Sequence, residues 1–258
     1  MNLSTKPDWL ATLPENVVST SHPAGQSPIL LVCEHASKFI PEGLGRLGLD
    51  EAASQSHIAW DPGALGVARH ISEMLDATLV AQKTSRLVYD CNRPPCSAQA
   101  VRAKSEIYDI PGNQNLSPAE RALRAMYIYE PFRKALATQA RSRPDRVLVT
   151  IHSFTPVYEG RPRAVEIGIL HDRDSRLADA LLDTAIKNPA YKVERNAPYG
   201  PQDGVTHTLN AHARPLGLLN VMIEIRNDLI LTEKDQRKVA TWLAELLTSA
   251  LKTTGGGG

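Results

Sequence analysis

Four residues stand at the ends of buried apolar runs or directly after them. Each has a side chain that can bind a metal ion or transfer a proton. These residues are Glu34, His35, His152 and Glu224. Short apolar runs followed by turn residues are typical of buried strands in α/β proteins. Such sheets place their chemistry just beyond the carboxyl ends of the strands. A single histidine at a strand end is usually structural, but three strands that end in this way predict an active site.

A dense polar cluster follows a predicted strand at residues 78–81. It contains Arg86, Asp90, Asn92 and Arg93, and two prolines then stop any regular element. The planar guanidinium of arginine suits bidentate binding of a carboxylate. An ion pair of Asp90 with one of these arginines at the surface is the alternative interpretation. The neighbouring apolar residues and the rigid turn favour an anion-binding site.

Asp61 has two possible roles. An aspartate followed by Pro62 predicts a helix start, with Asp61 as N-cap and a helix that runs to about Leu75. The other role is that of a metal-binding carboxylate at the start of that helix. Spacing alone favours the cap.

The remaining histidines and the cysteines carry weaker signals. His207 lies on a polar loop or short helix, which favours a position near substrate over one in the core. His171 and His212 are predicted to be structural or at the surface. The three cysteines are odd in number and lack C-x-x-C spacing, so they indicate neither a disulfide framework nor a cysteine zinc site.

Composition excludes several classes of protein. The chain has 258 residues, 42% of them apolar and 22% charged, as in ordinary soluble domains. Its net charge of +1 gives no reason to expect nucleic acid or an anionic membrane as a partner. No segment approaches the roughly 20 apolar residues of a membrane span, and the N-terminus lacks a signal-peptide pattern. We expect a cytoplasmic protein.

The order of predicted elements indicates the fold. Strands alternate with helices along most of the chain, which predicts a three-layer α/β/α architecture around a mostly parallel sheet with mixed edges. Residues 1–254 are expected to form a single domain, in which 1–27 are an arm on the surface. Residues 255–258 are glycines and are expected to be a flexible tail. The residues predicted to cap the later helices are Ser117, Ser175 and Thr232.

Four motifs, in order, resemble the N-formylglutamate amidohydrolase family. They are CEHAS at 33–37, WDPGA at 60–64, SRLVYDCNRP at 85–94 and DGVTH at 203–207. The D-C-N-R motif and the strand ends at His152 and Glu224 also resemble the zinc-dependent carboxypeptidase and aspartoacylase group. The resemblance covers about residues 28–230. It implies a fold like that of the zinc exopeptidases and phosphorylases/hydrolases, one zinc ion per chain, and a place in amino-acid catabolism such as histidine degradation.

The resemblance also implies a set of metal ligands. His35 and His152 match the two metal-binding histidines of the family. The carboxypeptidase group takes its carboxylate ligand three residues after the first histidine, where this chain has Lys38. Asp61 is the preferred third ligand, because the formylglutamate-type pattern has an aspartate at the matching helix start. Glu34 is the alternative, although its side chain is expected on the opposite sheet face from His35.

Roles in catalysis and substrate binding follow from the same resemblance. Glu224 matches the catalytic glutamate, and Arg86 resembles the arginine that faces the scissile carbonyl. Asn92 and Arg93 match the pair that grips the substrate carboxylate. Arg226, just beyond the catalytic glutamate, is a candidate for binding a second carboxylate.

The predicted function is zinc-dependent removal of a small N-acyl group from an acidic amino acid such as glutamate, and resemblance to the family implies that this group is formyl. The predicted partner is therefore a small anionic N-acyl amino acid. Two alternatives stay open at this point. One is another N-acyl-amino-acid hydrolase or a carboxypeptidase-like enzyme, and the other is a non-catalytic module that binds an anionic metabolite. A catalytic role of Glu224 and a bound metal ion would distinguish an enzyme from a binding module, because a non-catalytic module needs neither.

Overall fold

The structure is a computed structural model that describes residues 7–254. Within this range seven strands form one central sheet. Their spatial order is β1 (Val18–Ser21), β3 (Thr78–Gln82), β2 (Ile29–Cys33), β6 (Val147–Phe154), β11 (Asn220–Arg226), β9 (Ile167–Leu170) and β10 (Val193–Arg195). Two short hairpins lie outside the sheet: β4 (Lys104–Ser105) with β5 (Tyr108–Asp109), and β7 (Val157–Tyr158) with β8 (Arg161–Pro162).

The centre of the sheet is parallel and its edges are mixed. Strands β3, β2, β6 and β11 run parallel to one another. At the edges β1 runs antiparallel to β3, while β9 runs antiparallel to β11 and parallel to β10. Every residue of β2 and β3 is buried, which is the reason that these strands are continuous apolar runs. The predicted mostly parallel sheet with mixed edges is confirmed.

Residues 7–254 contain six α-helices. They are α1 (Glu51–Gln55), α2 (Ala64–Leu75), α3 (Pro118–Arg124), α4 (Glu130–Arg141), α5 (Arg176–Lys187) and α6 (Glu233–Thr253). The Ser117 capping box and the Thr232 cap form as predicted, since each hydroxyl accepts the backbone N–H three residues on. A π-helical turn at Ala125–Tyr129 joins α3 to α4 just before Pro131, a proline that cannot donate to the helix ladder.

The two faces of the sheet have separate cores, which gives three layers. Leu31, Val149 and Ile223 pack with the buried sides of α2, α5 and α6. On the other face, Leu30 and Leu148 pack with α4 and the long connection that follows β3. Because side chains alternate along a strand, residues 34, 152 and 224 continue the α4-side rows of β2, β6 and β11. The polar strand ends therefore meet at one place, under the connection that carries the arginine cluster.

Several local predictions differ from the structure. Helix α2 begins at Ala64 with Gly63 as its N-cap, at a φ of 81°, so the prediction that Asp61 caps it with its side chain is wrong. Ser175 precedes α5 but makes no side-chain cap, because its hydroxyl donates to Asp179 instead. Strand β6 continues two residues past His152, to Phe154.

The predicted arm is partly regular structure. Val18–Ser21 forms the edge strand β1, and Asp8–Thr12 forms a 3₁₀ turn. The glycine tail at 255–258 and residues 1–6 lie outside the described part of the chain. No helix within residues 7–254 is long and apolar enough to cross a membrane.

Candidate metal centre and substrate cavity

Two histidines and an aspartate converge at the carboxyl edge of the sheet. His35 directly follows β2, His152 lies on the adjacent parallel strand β6, and Asp61 lies in the turn before α2. The Nδ1 atoms of the two imidazoles are 3.2 Å apart. Asp61 Oδ2 is 3.2 Å from Nδ1 of His35 and 2.8 Å from Nδ1 of His152. All three side chains are buried.

The remaining nitrogen of each imidazole faces a buried carboxylate. Nε2 of His35 donates to Asp90 Oδ1 over 2.7 Å. Nε2 of His152 lies 3.1 Å from Glu34 Oε2, although the angle between them misses hydrogen-bond geometry. With their protons on Nε2, both rings present a bare Nδ1 to the same point. This is the arrangement that carboxylates impose on metal-binding histidines.

The donor atoms fit a tetrahedral zinc ion. Zinc binds histidine nitrogen and carboxylate oxygen at about 2.0–2.1 Å, so two ligands of a tetrahedral site are about 3.3 Å apart. The three observed separations, 2.8 to 3.2 Å, are close to that value. Two nitrogens and one oxygen leave the fourth position open, as in catalytic zinc sites.

The local field also favours a cation at this point. Burial alone would lower the pKa of His152, but the negative charges of Glu34 and Asp61 raise it well above its ordinary value. Burial alone would raise the pKa of Asp61, but His35, His152 and Arg86 together hold it below its ordinary value. Asp61 is therefore ionised, and the surrounding carboxylates attract positive charge to the space between the two rings.

A cavity of about 360 Å³ opens beside these three residues. Glu224 lies in its wall, on β11 at the position paired with His152 of β6, and is 4% exposed. Its Oε2 is buried and has no hydrogen-bond partner among the described residues. Burial raises the pKa of Glu224 to about 8. A carboxylate without a protein partner, next to a candidate metal centre, is suited to proton transfer.

Asp90 joins the candidate metal centre to the arginine cluster. Besides His35, this fully buried carboxylate accepts from NH2 of Arg86 at 3.1 Å and from NH2 of Arg102 at 2.9 Å. Nε of Arg93 lies 3.8 Å from it. One carboxylate thus faces three guanidinium groups, so positive charge is in excess on this side of the cavity. Burial, together with the charge of Arg86, lowers the pKa of Arg102 to about 10.

Comparison with known proteins identifies the family. The sequence profile of N-formylglutamate amidohydrolase matches residues 27–231. The chain belongs to the N-formylglutamate amidohydrolase family. A gene product of Agrobacterium tumefaciens with a crystal structure is 57% identical, and the match covers 93% of this chain and 96% of that one with a TM-score of 0.90.

A second solved structure supports the fold. The N-formylglutamate amidohydrolase of Ralstonia eutropha is 20% identical, and the match covers 93% of this chain and 97% of that one with a TM-score of 0.59. At this identity the likeness concerns the fold alone. No protein of curated function matches the chain.

Most site residues expected from resemblance to the family lie together in the cavity wall. These are His35, Asp61, Arg86, Asn92, Arg93, His152 and Glu224. Glu34, the alternative third ligand, lies instead on the far side of the His152 ring, and the donor cluster found among residues 7–254 does not include it.

Asn92 and Arg93 hold the loop that forms one side of the cavity. The amide of Asn92 donates to the carbonyl of Val205 over 2.6 Å and accepts from the N–H of Thr208 over 3.0 Å. NH1 of Arg93 donates to the carbonyls of Asp203 and Gly204, at 2.7 and 2.6 Å. Gly204 has a φ of 65°, and a Cβ there would lie 3.0 Å from that guanidinium, so both backbone and space favour glycine.

Two predicted substrate-binding residues do not line the cavity. Arg226 ends β11 with its guanidinium against Asp228 at 2.8 Å and Glu166 at 3.6 Å. Nε2 of His207 lies 2.9 Å from the hydroxyl of Tyr129, behind the cavity wall. The structure gives neither residue a contact with the space next to Glu224.

Sequence reasoning missed part of the wall. Arg102 lies in a loop without a motif and reaches the cavity only through the fold. The guanidinium of Arg163 lies 4.5 Å from the ring centre of Tyr158 and 4.9 Å from that of Tyr199. Both tyrosines line the cavity. Cation–π contacts of this kind fix the β7–β8 hairpin against the loop that contains Tyr199.

Proposed function

We propose that the protein is a zinc-dependent amidohydrolase that removes an N-formyl group from an acidic amino acid. The reaction converts N-formyl-L-glutamate and water to formate and L-glutamate. Membership of the family and the cavity beside the His35–Asp61–His152 cluster support this proposal. The observation that carries it is Glu224, a buried carboxylate whose Oε2 has no partner among residues 7–254 and which faces that cavity.

The proposed roles of the residues are supported by the geometry of the cavity. A zinc ion held by His35, Asp61 and His152 would supply Lewis-acid activation of water and of the amide carbonyl. Glu224 accepts the proton of the water as the C–O bond forms and the carbonyl oxygen becomes an oxyanion. It then delivers that proton to the nitrogen, the carbonyl re-forms and the C–N bond breaks, which releases formate and the free amino acid. Because burial raises its pKa, Glu224 can both accept and release a proton near neutral pH.

Arg86 contributes fixed charge rather than a free hydrogen-bonding fork. Its NH1 donates to Asp61 over 3.2 Å and its NH2 to Asp90 over 3.1 Å. Held in this way, the guanidinium places positive charge next to the proposed metal centre. We propose that this charge stabilises the oxyanion that develops on the scissile carbonyl.

Arg93 and Arg102 are the proposed carboxylate-binding residues. NH2 of Arg93 and NH1 of Arg102 have no hydrogen-bond partner within the described chain, although both residues line the cavity. Two such donors suit the two carboxylates of an N-acylated acidic amino acid. Arg102 thereby takes the role that the sequence assigned to Arg226. Asn92 supports the site by holding the loop at 205–208.

The test is metal analysis combined with a substrate screen. Purified protein should contain about one zinc per chain, and should hydrolyse N-formyl-glutamate faster than its N-acetyl counterpart or N-formyl-leucine. Hydrolysis that persists after complete chelation would refute the zinc mechanism. Activity on the acetyl or leucine compounds alone would favour a different N-acyl-amino-acid hydrolase. Tight binding of the dicarboxylate without turnover would favour a binding module.

A further inference from the structure

Glu34 is a fully buried acid that the proposed reaction does not use. It directly follows β2, and its side chain has an exposed fraction of 0%. Its Oε2 lies 3.1 Å from Nε2 of His152, while Nδ1 of the same ring lies 2.8 Å from Asp61 Oδ2. The imidazole of His152 is therefore held between two carboxylates, and only one of them belongs to the donor cluster.

His152 is the one charged partner of Glu34 among residues 7–254. Both oxygens of Glu34 and Nε2 of His152 lack a partner that meets hydrogen-bond geometry. Burying a carboxylate is unfavourable unless it is paired. The ion-pair distance of 3.1 Å between Nε2 of His152 and Oε2 of Glu34 supplies that pairing. The buried position of Glu34 therefore has its physical explanation in this histidine.

The other histidine of the cluster also faces a buried carboxylate with its Nε2, and there the contact is a hydrogen bond. His35 gives its Nε2–H to Asp90 and turns its Nδ1 toward the shared point. We infer that Glu34 is a positioning residue, which holds His152 with its proton on Nε2 and its Nδ1 directed at the metal. The inference depends on the metal site of the proposed function. It assigns Glu34 to the orientation of a ligand, in place of the ligand role considered from the sequence.

Glu34 allows a cleaner test than Asp90 does. Asp90 also pairs with Arg86 and Arg102, so its substitution would change substrate binding and metal binding together. Glu34 does not line the cavity, and its one ion-pair contact in the described structure is with His152. Its substitution should therefore change metal affinity and leave the substrate-binding groups in place.

The experiment measures zinc affinity of the Glu34→Gln variant by competition with a chelating dye. We expect zinc affinity to fall about 10- to 100-fold, the usual effect of losing such a partner, while kcat at saturating zinc stays close to that of wild type because Glu34 does not line the cavity. Glu224→Gln is the matched control, because it makes the same change in a buried glutamate on the same sheet face. It should retain zinc affinity and lose turnover, the reverse of the Glu34 result.

A folded Glu34→Gln protein with wild-type zinc affinity would overturn the inference. If that variant does not fold, long-range ¹H–¹⁵N spectra of zinc-loaded wild type decide instead: Nε2 of His152 should carry the proton, and a proton on Nδ1 would overturn the inference. Failure of the proposed function has a different signature. Wild type that binds zinc but hydrolyses no N-acyl amino acid would refute the enzyme and leave the Glu34 result standing, whereas wild type that binds no zinc would refute both.

Discussion

Replacing Glu224 with glutamine tests the proton-transfer role directly. Glutamine keeps the shape of the side chain but cannot accept a proton from the attacking water. Loss of a general base lowers rates by about 10²–10⁴-fold, which corresponds to about 3–5 kcal/mol of transition-state stabilisation. Because Glu224 is not one of the three clustered donors, zinc content should stay at about one ion per chain.

The same substitution has a calculable effect on the stability of the metal-free protein. Burial raises the folded-state pKa of Glu224 from 4.5 to about 8. Because the pKa is higher in the folded state, the contribution of Glu224 to the free energy of unfolding is fully present below pH 4.5, where the side chain is protonated in both states. That contribution is lost as pH rises through about 8. At pH 7 the loss is at most on the order of 3 kcal/mol, and glutamine does not incur it. Metal-free Glu224→Gln should therefore melt no lower than wild type, and its advantage should grow with pH.

The assay measures kcat, zinc content and thermal melting on one preparation. The alternative is that Glu224 is structural and paired with Arg226, but that arginine contacts Asp228 and Glu166. A structural role predicts a lower melting temperature with near-normal turnover per folded molecule. That outcome would remove Glu224 from the mechanism. Loss of zinc together with turnover would instead make Glu224 part of the metal site.

Three further predictions address the metal and the substrate. His152→Ala should abolish zinc binding and hydrolysis together. Added zinc should restore the activity of chelated wild type but not that of this variant, and a variant that keeps one zinc per chain would contradict the role of His152 as a ligand. Arg93→Lys keeps the charge but loses the planar fork, so KM should rise at least about tenfold, or 1.4 kcal/mol, while Arg226→Lys should leave KM unchanged. Arg102→Met should raise KM for N-formyl-glutamate much more than for N-formyl-leucine, and an equal rise for both would exclude a contact with the side-chain carboxylate.

The layered fold was predictable because its signals are local. A buried parallel strand needs apolar residues on both faces, so β2, β6 and β11 were visible as continuous runs. Strand β1 was not visible, because its sequence VSTS is polar and it pairs at the edge with only β3. Its place in the sheet depends on pairing with β3, which lies far along the chain.

The residues of the candidate site that belong to sequence motifs were predictable. Those that only the fold brings to the cavity were not. Resemblance to the family pointed to His35, His152 and Glu224 as site candidates, and the structure brings them to one cavity. Proximity in sequence to Glu224 made Arg226 a candidate for substrate binding, but at the end of β11 its guanidinium contacts Asp228 and Glu166. Arg102 arrives from a loop with no pattern of its own. It contacts Asp90, a carboxylate that also accepts from His35, so the proposed anion-binding wall and the candidate metal centre share one buried charge.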